Sequence, residues 1–151
     1  SVNMGDNGLA PTWATIVNLV REVAIDNAAQ GSLAFVTNPK VAAKLRSVAK
    51  VASTDSKMIM DDKSELFGYK VYATSLVPSN LTKGTSSGVC SAMIFGNFQD
   101  LLVAEWGSLD VLFDPYTGSS SGSMRVTVFM DVDVAVRHAE SFAAIQDLVT
   151  T

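Results

Sequence analysis

An α+β fold is what this 151-residue sequence predicts: a mixed central sheet flanked by helices, with a long β-hairpin arm projecting from it. Three observations carry the prediction. Two segments in the first third repeat apolar residues at three and four positions, the period of a helix with one buried face. Several short apolar runs bounded by Gly, Pro, Asn and Ser read as strands. One run near the C-terminal end alternates apolar and polar residues over more positions than a compact body can cover.

The first helix follows the turn Asn7-Gly8. Pro11 suits a first helical position, and Trp13, Ile16, Val17, Val20, Val23 and Ala24 supply the stripe through to about Ala29. Gly31 suits the left-handed position past its end. A short buried strand, Leu33 to Thr37, comes next. Asn38 and Pro39 then read as N-cap and first residue of a second helix. Val41, Ala42, Leu45 and Val48 form its buried stripe, with Lys40, Lys44 and Arg46 in water and an end by about Val51.

Met58-Ile59-Met60, inside the polar stretch Ser53 to Glu65, reads as a short strand or a packed loop. Tyr69 to Thr74 alternates as a strand and stops at Pro78-Ser79-Asn80. Thr82 to Gly88 reads as a loop of small residues, and Cys90 to Phe95 as a central strand. Asn97 is placed to cap a short helix from Phe98 to about Val103. Leu109 to Phe113 and Met124 to Val136 are the strands of the arm, joined across the Gly/Ser-rich loop Asp114 to Ser123.

The second of these strands is the clearest signal in the chain. Val126, Val128, Met130, Val132, Val134 and Val136 hold the even positions, and Arg125, Thr127, Asp131, Asp133 and Arg137 share the odd face with Phe129 and Ala135. Met124 to His138 would reach about 45 Å as a strand. A body of this size is only about 30 Å across, so the strand must project or bend between two sheets.

Composition narrows function. With 48% hydrophobic and 17% charged residues the chain can form one ordinary core. A net charge of −4 is the wrong sign for a surface that neutralises phosphates, so no specific nucleic-acid binding is expected. The single cysteine, Cys90, can close no intramolecular disulfide, and the single histidine, His138, builds no His-rich metal site, so no metal or cofactor is expected. The start has no basic, apolar leader, and no run approaches the roughly 20 apolar residues that cross a bilayer. The absent initiator methionine suggests a processed or truncated start.

Catalytic motifs are weak. Gly118-Ser119-Ser120-Ser121-Gly122 spells G-x-S-x-G, with Asp131 or Asp133 and His138 downstream in a hydrolase order. A nucleophile elbow needs a strand before its serine and a helix after it, whereas here a strand resumes at once; a serine hydrolase using Ser120 is the weakest alternative. Asp131 and Asp133 lie about 7 Å apart on one strand face, where ion pairing with Arg125 and Arg137, across strands or between subunits, accounts for them better. Asp61-Asp62, with Asp55 and Glu65, lack the spacing of a calcium loop. Asn80-Leu81-Thr82 matches a glycosylation acceptor that matters only in a secreted chain. Cys90 reads as a buried thiol.

Several blocks together resemble the major capsid proteins of tailed bacteriophages with the Hong Kong 97-like fold. Phe35-Val36-Thr37-Asn38-Pro39 resembles that family's strand-to-helix junction, and Leu66-Phe67-Gly68-Tyr69-Lys70-Val71 its L-x-G-x-P-V strand, with Lys70 for the proline. Ala92-Met93-Ile94-Phe95-Gly96-Asn97-Phe98 is similar to its x-x-G-D-F strand, with Asn97 for the aspartate, and Val128 to Ile145 resembles its terminal strand. The resemblance implies an axial domain over 1–108, a β arm of the peripheral domain over 109–136, and a return strand and tail over 137–151. The family's N-terminal arm, extended loop and spine helix would lie upstream.

It further implies a structural, non-enzymatic subunit of an icosahedral phage or prophage shell that partners with itself in hexamers and pentamers. Its place would be the virion capsid, and the host cytoplasm during assembly. An encapsulin-type nanocompartment shell is the nearest alternative. Arg125, Asp131, Asp133 and Arg137 are the expected inter-subunit contacts, and the segment alone is expected to be a monomer or small oligomer without membrane association.

Overall fold

A computed structural model describes residues 1–51, 57–61 and 63–150, which fall into two compact units: Ser1–Asp100 with His138–Thr151, and Leu101–Arg137. In the first unit, helix α1 spans Trp13–Ile25. The Thr12 hydroxyl accepts from the Thr15 N–H, and the Thr15 hydroxyl accepts back from the Thr12 N–H. This reciprocal cap satisfies donors that a helix start leaves orphaned, so the helix opens after Pro11 rather than on it.

The C-terminus closes earlier than Gly31. Asn27 takes the left-handed conformation at φ 55°, while the Ala28 N–H reaches Val23 O and the Asn27 N–H reaches Ala24 O, both at 3.1 Å. Asparagine tolerates that conformation, and the pair of bonds is the Schellman closure. Ile16, Leu19, Val20 and Val23 are the buried apolar residues; Leu19 takes the place expected for Val17, and Ala24 faces water.

Strand β1 spans Leu33–Thr37 and helix α2 spans Pro39–Ser47. Asn38 joins them with both ends of its buried carboxamide. Its Oδ1 accepts from the Val41 N–H at 2.9 Å, and its Nδ2 donates to Pro78 O at 3.0 Å. Residues 58–60 form the packed loop. The Met60 and Ile59 N–H groups donate to Leu45 O and Val48 O, which α2's own ladder leaves free at its end.

Strands β2 (Glu65–Leu66) and β3 (Tyr69–Ala73) make a tight hairpin on Phe67-Gly68. Strands β4 (Leu81–Lys83) and β5 (Ser86–Asn97) make a second, where a plain loop was expected. It turns through Gly84, at φ 54°, where any Cβ would meet Asp6 O and the Asn7 side chain. The helix expected from Phe98 to Val103 is only a 3-10 turn, Phe98–Asp100, before the chain extends again. Beyond the second unit the chain returns as β8, Phe142–Val149.

These strands form one six-stranded mixed sheet with β5 at its centre. One edge of β5 carries β1 and β4, the other carries β8, and β3 lies parallel to β1 with β2 outside it. Phe35 and Phe95 stand opposite each other with ring centroids 4.4 Å apart. With Met93, Ala143, Ile145 and Leu148 they join the buried residues of both helices in a single core. Among the described residues no helix is long and apolar enough to cross a membrane.

The second unit is a two-stranded antiparallel ribbon, β6 (Leu101–Asp114) with β7 (Arg125–Val136). Strand β6 begins at Leu101, not Leu109. Strand β7 pairs with β6 alone, so it does not pass between two sheets. A short 3-10 turn, Ser119–Ser121, lies in the connection.

Candidate assembly surface

Pairing in the ribbon decides which residues share a face, because directly opposed residues in an antiparallel ladder point the same way. Val126, Val128, Val132, Val134 and Val136 stand opposite Phe113, Val111, Glu105, Val103 and Leu101. One face is therefore apolar throughout, apart from Glu105. On the other face Asp131 is opposite Trp106, Asp133 opposite Ala104, Phe129 opposite Asp110, and Arg125 opposite Asp114. The ladder slips between Trp106 and Asp110, where residues 107–109 face Met130 alone and Gly107 takes φ 83°. Such a bulge bends the strand and sharpens its twist.

Among the described residues nothing covers either face. Val132 is 45% exposed, Val128 53%, Trp106 54% and Phe129 57%. A lone two-stranded ribbon is marginal in water, and contiguous apolar surface on this scale is uncommon on a free monomer.

Arg125, Asp131 and Asp133 lie on the mixed face as expected, while Arg137 sits one residue past the end of β7. The expected cross-strand ion pairs do not form. Among the described residues none of the four is in a salt bridge. The Asp114 carboxylate opposite Arg125 is instead engaged locally, accepting from the Thr117 hydroxyl and from the N–H groups of Tyr116 and Thr117 at 2.9 and 3.2 Å. Asp133 Oδ1 accepts from the Val134 N–H at 2.8 Å.

Those bonds, the Thr117 hydroxyl foremost, hold the Asp114 carboxyl below its ordinary pKa of 3.8. A carboxyl depressed in the folded state adds stability that is complete above its unfolded value and is lost as pH falls through the folded one. An NMR titration should therefore place the Asp114 midpoint below 3.8, with the Tyr116 and Thr117 amides shifting alongside it. A midpoint at or above 3.8 would contradict the turn geometry.

The other candidates have ordinary structural settings. Ser120 lies in the 3-10 turn, followed by left-handed Gly122 and then β7, so no strand–serine–helix elbow exists there. His138 belongs to the other unit. Cys90 is fully buried. Asn80 sits just before β4, and Asp61 and Glu65 are exposed, while Asp55 and Asp62 fall outside the described residues.

Asn97 shows why an amide serves in place of the expected aspartate. Its Oδ1 accepts from the Ser32 and Gln99 N–H groups, and its Nδ2 donates to Asp100 Oδ2 at 3.1 Å. An aspartate would set two carboxylates against each other. Sequence reasoning missed Trp106 and Asp110, which join the mixed face through a register that the bulge sets. Their signal was Gly107, an isolated glycine within a run of strand formers.

A mixed α+β unit and an exposed, largely apolar ribbon are the features that set this chain apart. Comparison with known proteins names the class. The model of the phage capsid family matches residues 2–147, and the chain belongs to that family. It is similar to the major capsid protein of Halomonas phage phiHAP-1, 24% identical over 131 residues that cover 87% of this chain and 20% of that protein.

Its fold is also that of a capsid chain from an empty GTA particle, with TM-score 0.67, 21% identity, and coverage of 98% of this chain and 49% of that one. The encapsulin of Synechococcus elongatus PCC 7942 shares it too, with TM-score 0.63, 15% identity, and coverage of 99% and 53%. The chain thus spans about half the length of these solved chains and a fifth of the phage relative.

Proposed function

We propose that this chain is the shell-building part of a major capsid protein with the Hong Kong 97-like fold, a structural subunit rather than an enzyme. In this reading the first unit is the axial domain and the ribbon is the β arm of the peripheral domain. Partners are further copies of the protein, in hexamers and pentamers, and its place is the virion capsid, reached from the host cytoplasm.

The observation that carries the reading is the uncovered ribbon. A strand pair with one wholly apolar face and a second face bearing Trp106, Phe129, Asp131 and Asp133 gains stability only when other polypeptide covers it. Repetition of one such contact between identical subunits builds rings and closed shells. Arg125, Asp131, Asp133 and Arg137 meet partners in neighbouring subunits, which accounts for charges that form no salt bridge among the described residues.

Electron microscopy of the full-length protein tests this. Closed particles of uniform diameter are expected, while the 151-residue chain alone should sediment as a monomer or small oligomer. A full-length protein that stays monomeric at every concentration would defeat the reading. The encapsulin alternative predicts particles loaded with a cargo protein instead of a genome, and the hydrolase alternative predicts fluorophosphonate labelling at Ser120, where none is expected.

A further inference from the structure

Three non-glycine residues among those described have positive φ: Asn27, Ser64 and Phe67. Phe67 is the anomaly. It opens the two-residue turn between β2 and β3 at φ 53°, with Gly68 at φ 82°, positions that asparagine, aspartate and glycine fill at little cost. A bulky ring there is strained, and strain of this kind is retained where a contact uses it.

The ring is half exposed and leans on Trp13, centroids 5.8 Å apart, while the Lys50 ammonium lies 3.8 Å over the Trp13 ring. Together they line a groove of about 840 Å³ floored by Ile59 and Met60. Arg46, Lys50 and Lys57 bring positive charge to its walls, and Asp61 and Glu65 bring negative charge.

The ribbon offers the complement. It carries five acids, Glu105, Asp110, Asp114, Asp131 and Asp133, against Arg125 and Arg137. Around its bulge Trp106 and Phe129 stand beside Asp110 and Asp131 on one face. Among the described residues the Phe67 ring is 49% exposed, and Trp106 and Phe129 are 54% and 57% exposed.

Building on the shell reading above, we propose that the bulge of the ribbon from a second copy of this chain docks in the Trp13–Phe67 groove, its aromatics against Phe67 and its carboxylates against Lys50 and Arg46. Groove and bulge are different surfaces of one subunit, so the contact is head-to-tail; in the 151-residue chain alone it gives the small oligomers expected above, and in the full-length protein it repeats from copy to copy.

Two measurements on the 151-residue chain test it. Phe67→Asn removes the ring and relieves the turn, so the melting temperature should hold or rise while self-association, followed by sedimentation, weakens by about tenfold or more, as for a central contact residue. Chains carrying Lys50→Cys, mixed with chains carrying Asp131→Cys, should form a disulfide-linked dimer under mild oxidation. A mixture of Lys50→Cys with Ser120→Cys should form far less, and Cys90 is buried and silent. Undiminished association of Phe67→Asn, or crosslinking no better than the Ser120→Cys control, would overturn the docking and leave the shell reading standing. Failure of the full-length protein to assemble at all would remove the shell reading itself.

Discussion

Truncating Phe95 to alanine is expected to lower the stability of the first unit by about 3–5 kcal/mol, the range for deleting a buried aromatic ring. The effect should be near the top of that range for a specific reason. Phe95 is fully buried at the centre of β5, opposite Phe35 at 4.4 Å and Ala143 on the other side, with the Tyr69 ring 5.2 Å away. Strands on both edges and two helices hold these walls, so the cavity has little room to collapse. Against a total of about 5–15 kcal/mol for a domain, a loss near the top of that range removes about a third or more of the stability. Urea denaturation followed by Trp13 fluorescence measures it, and a midpoint within experimental error of the wild type would show that the aromatic pair is not the core.

Replacing Val132 by lysine should have the opposite profile, with little effect on the single chain and a severe one on assembly. Val132 is 45% exposed, so a lysine there remains hydrated in the free subunit and its stability should change by less than about 0.5 kcal/mol. Once the apolar face is covered, the ammonium and Glu105 across the ladder form a buried ion pair whose desolvation, where valine packed before, costs up to several kcal/mol per contact. Multiplied over the copies of a shell, that should abolish particle formation by the full-length protein. The melting temperature and particle yield of the same preparation check both halves. Intact particles from Val132→Lys would mean that this face stays in water.

What the sequence discloses and what it hides follow the range of the forces involved. The Asn38-Pro39 junction is legible because cap and helix start lie within four residues, and the even-position valines of β7 because period two is written in the residues themselves. The helix C-terminus at Asn27 is not, since Gly31 is the better intrinsic cap and only the packing of Ala28 on the core selects the earlier residue.

The start of β6 is hidden for a related reason. Leu101-Leu102-Val103-Ala104 is a continuous apolar run that fits a helix or a strand equally, and its choice is made by its partners in β7, Asp133 to Val136, far along the chain. The hairpin of β4 and β5 is built from small residues with weak strand preference and forms because β5 continues into the core. On the candidate surface, Asp131 and Asp133 are legible from alternation alone. Trp106 and Asp110 are not, because the bulge at Gly107 interrupts the period that would have placed them. The strain at Phe67 is invisible until the turn length is known.

Hydroxyl-radical labelling of methionines in the free chain and in assembled particles of the full-length protein tests most directly whether the ribbon is an assembly surface. Met130, on the apolar face and 52% exposed, should oxidise readily in the free chain and be protected in particles, while the buried Met60 and Met93 stay unreactive in both. Equal oxidation of Met130 in the two states would contradict the account.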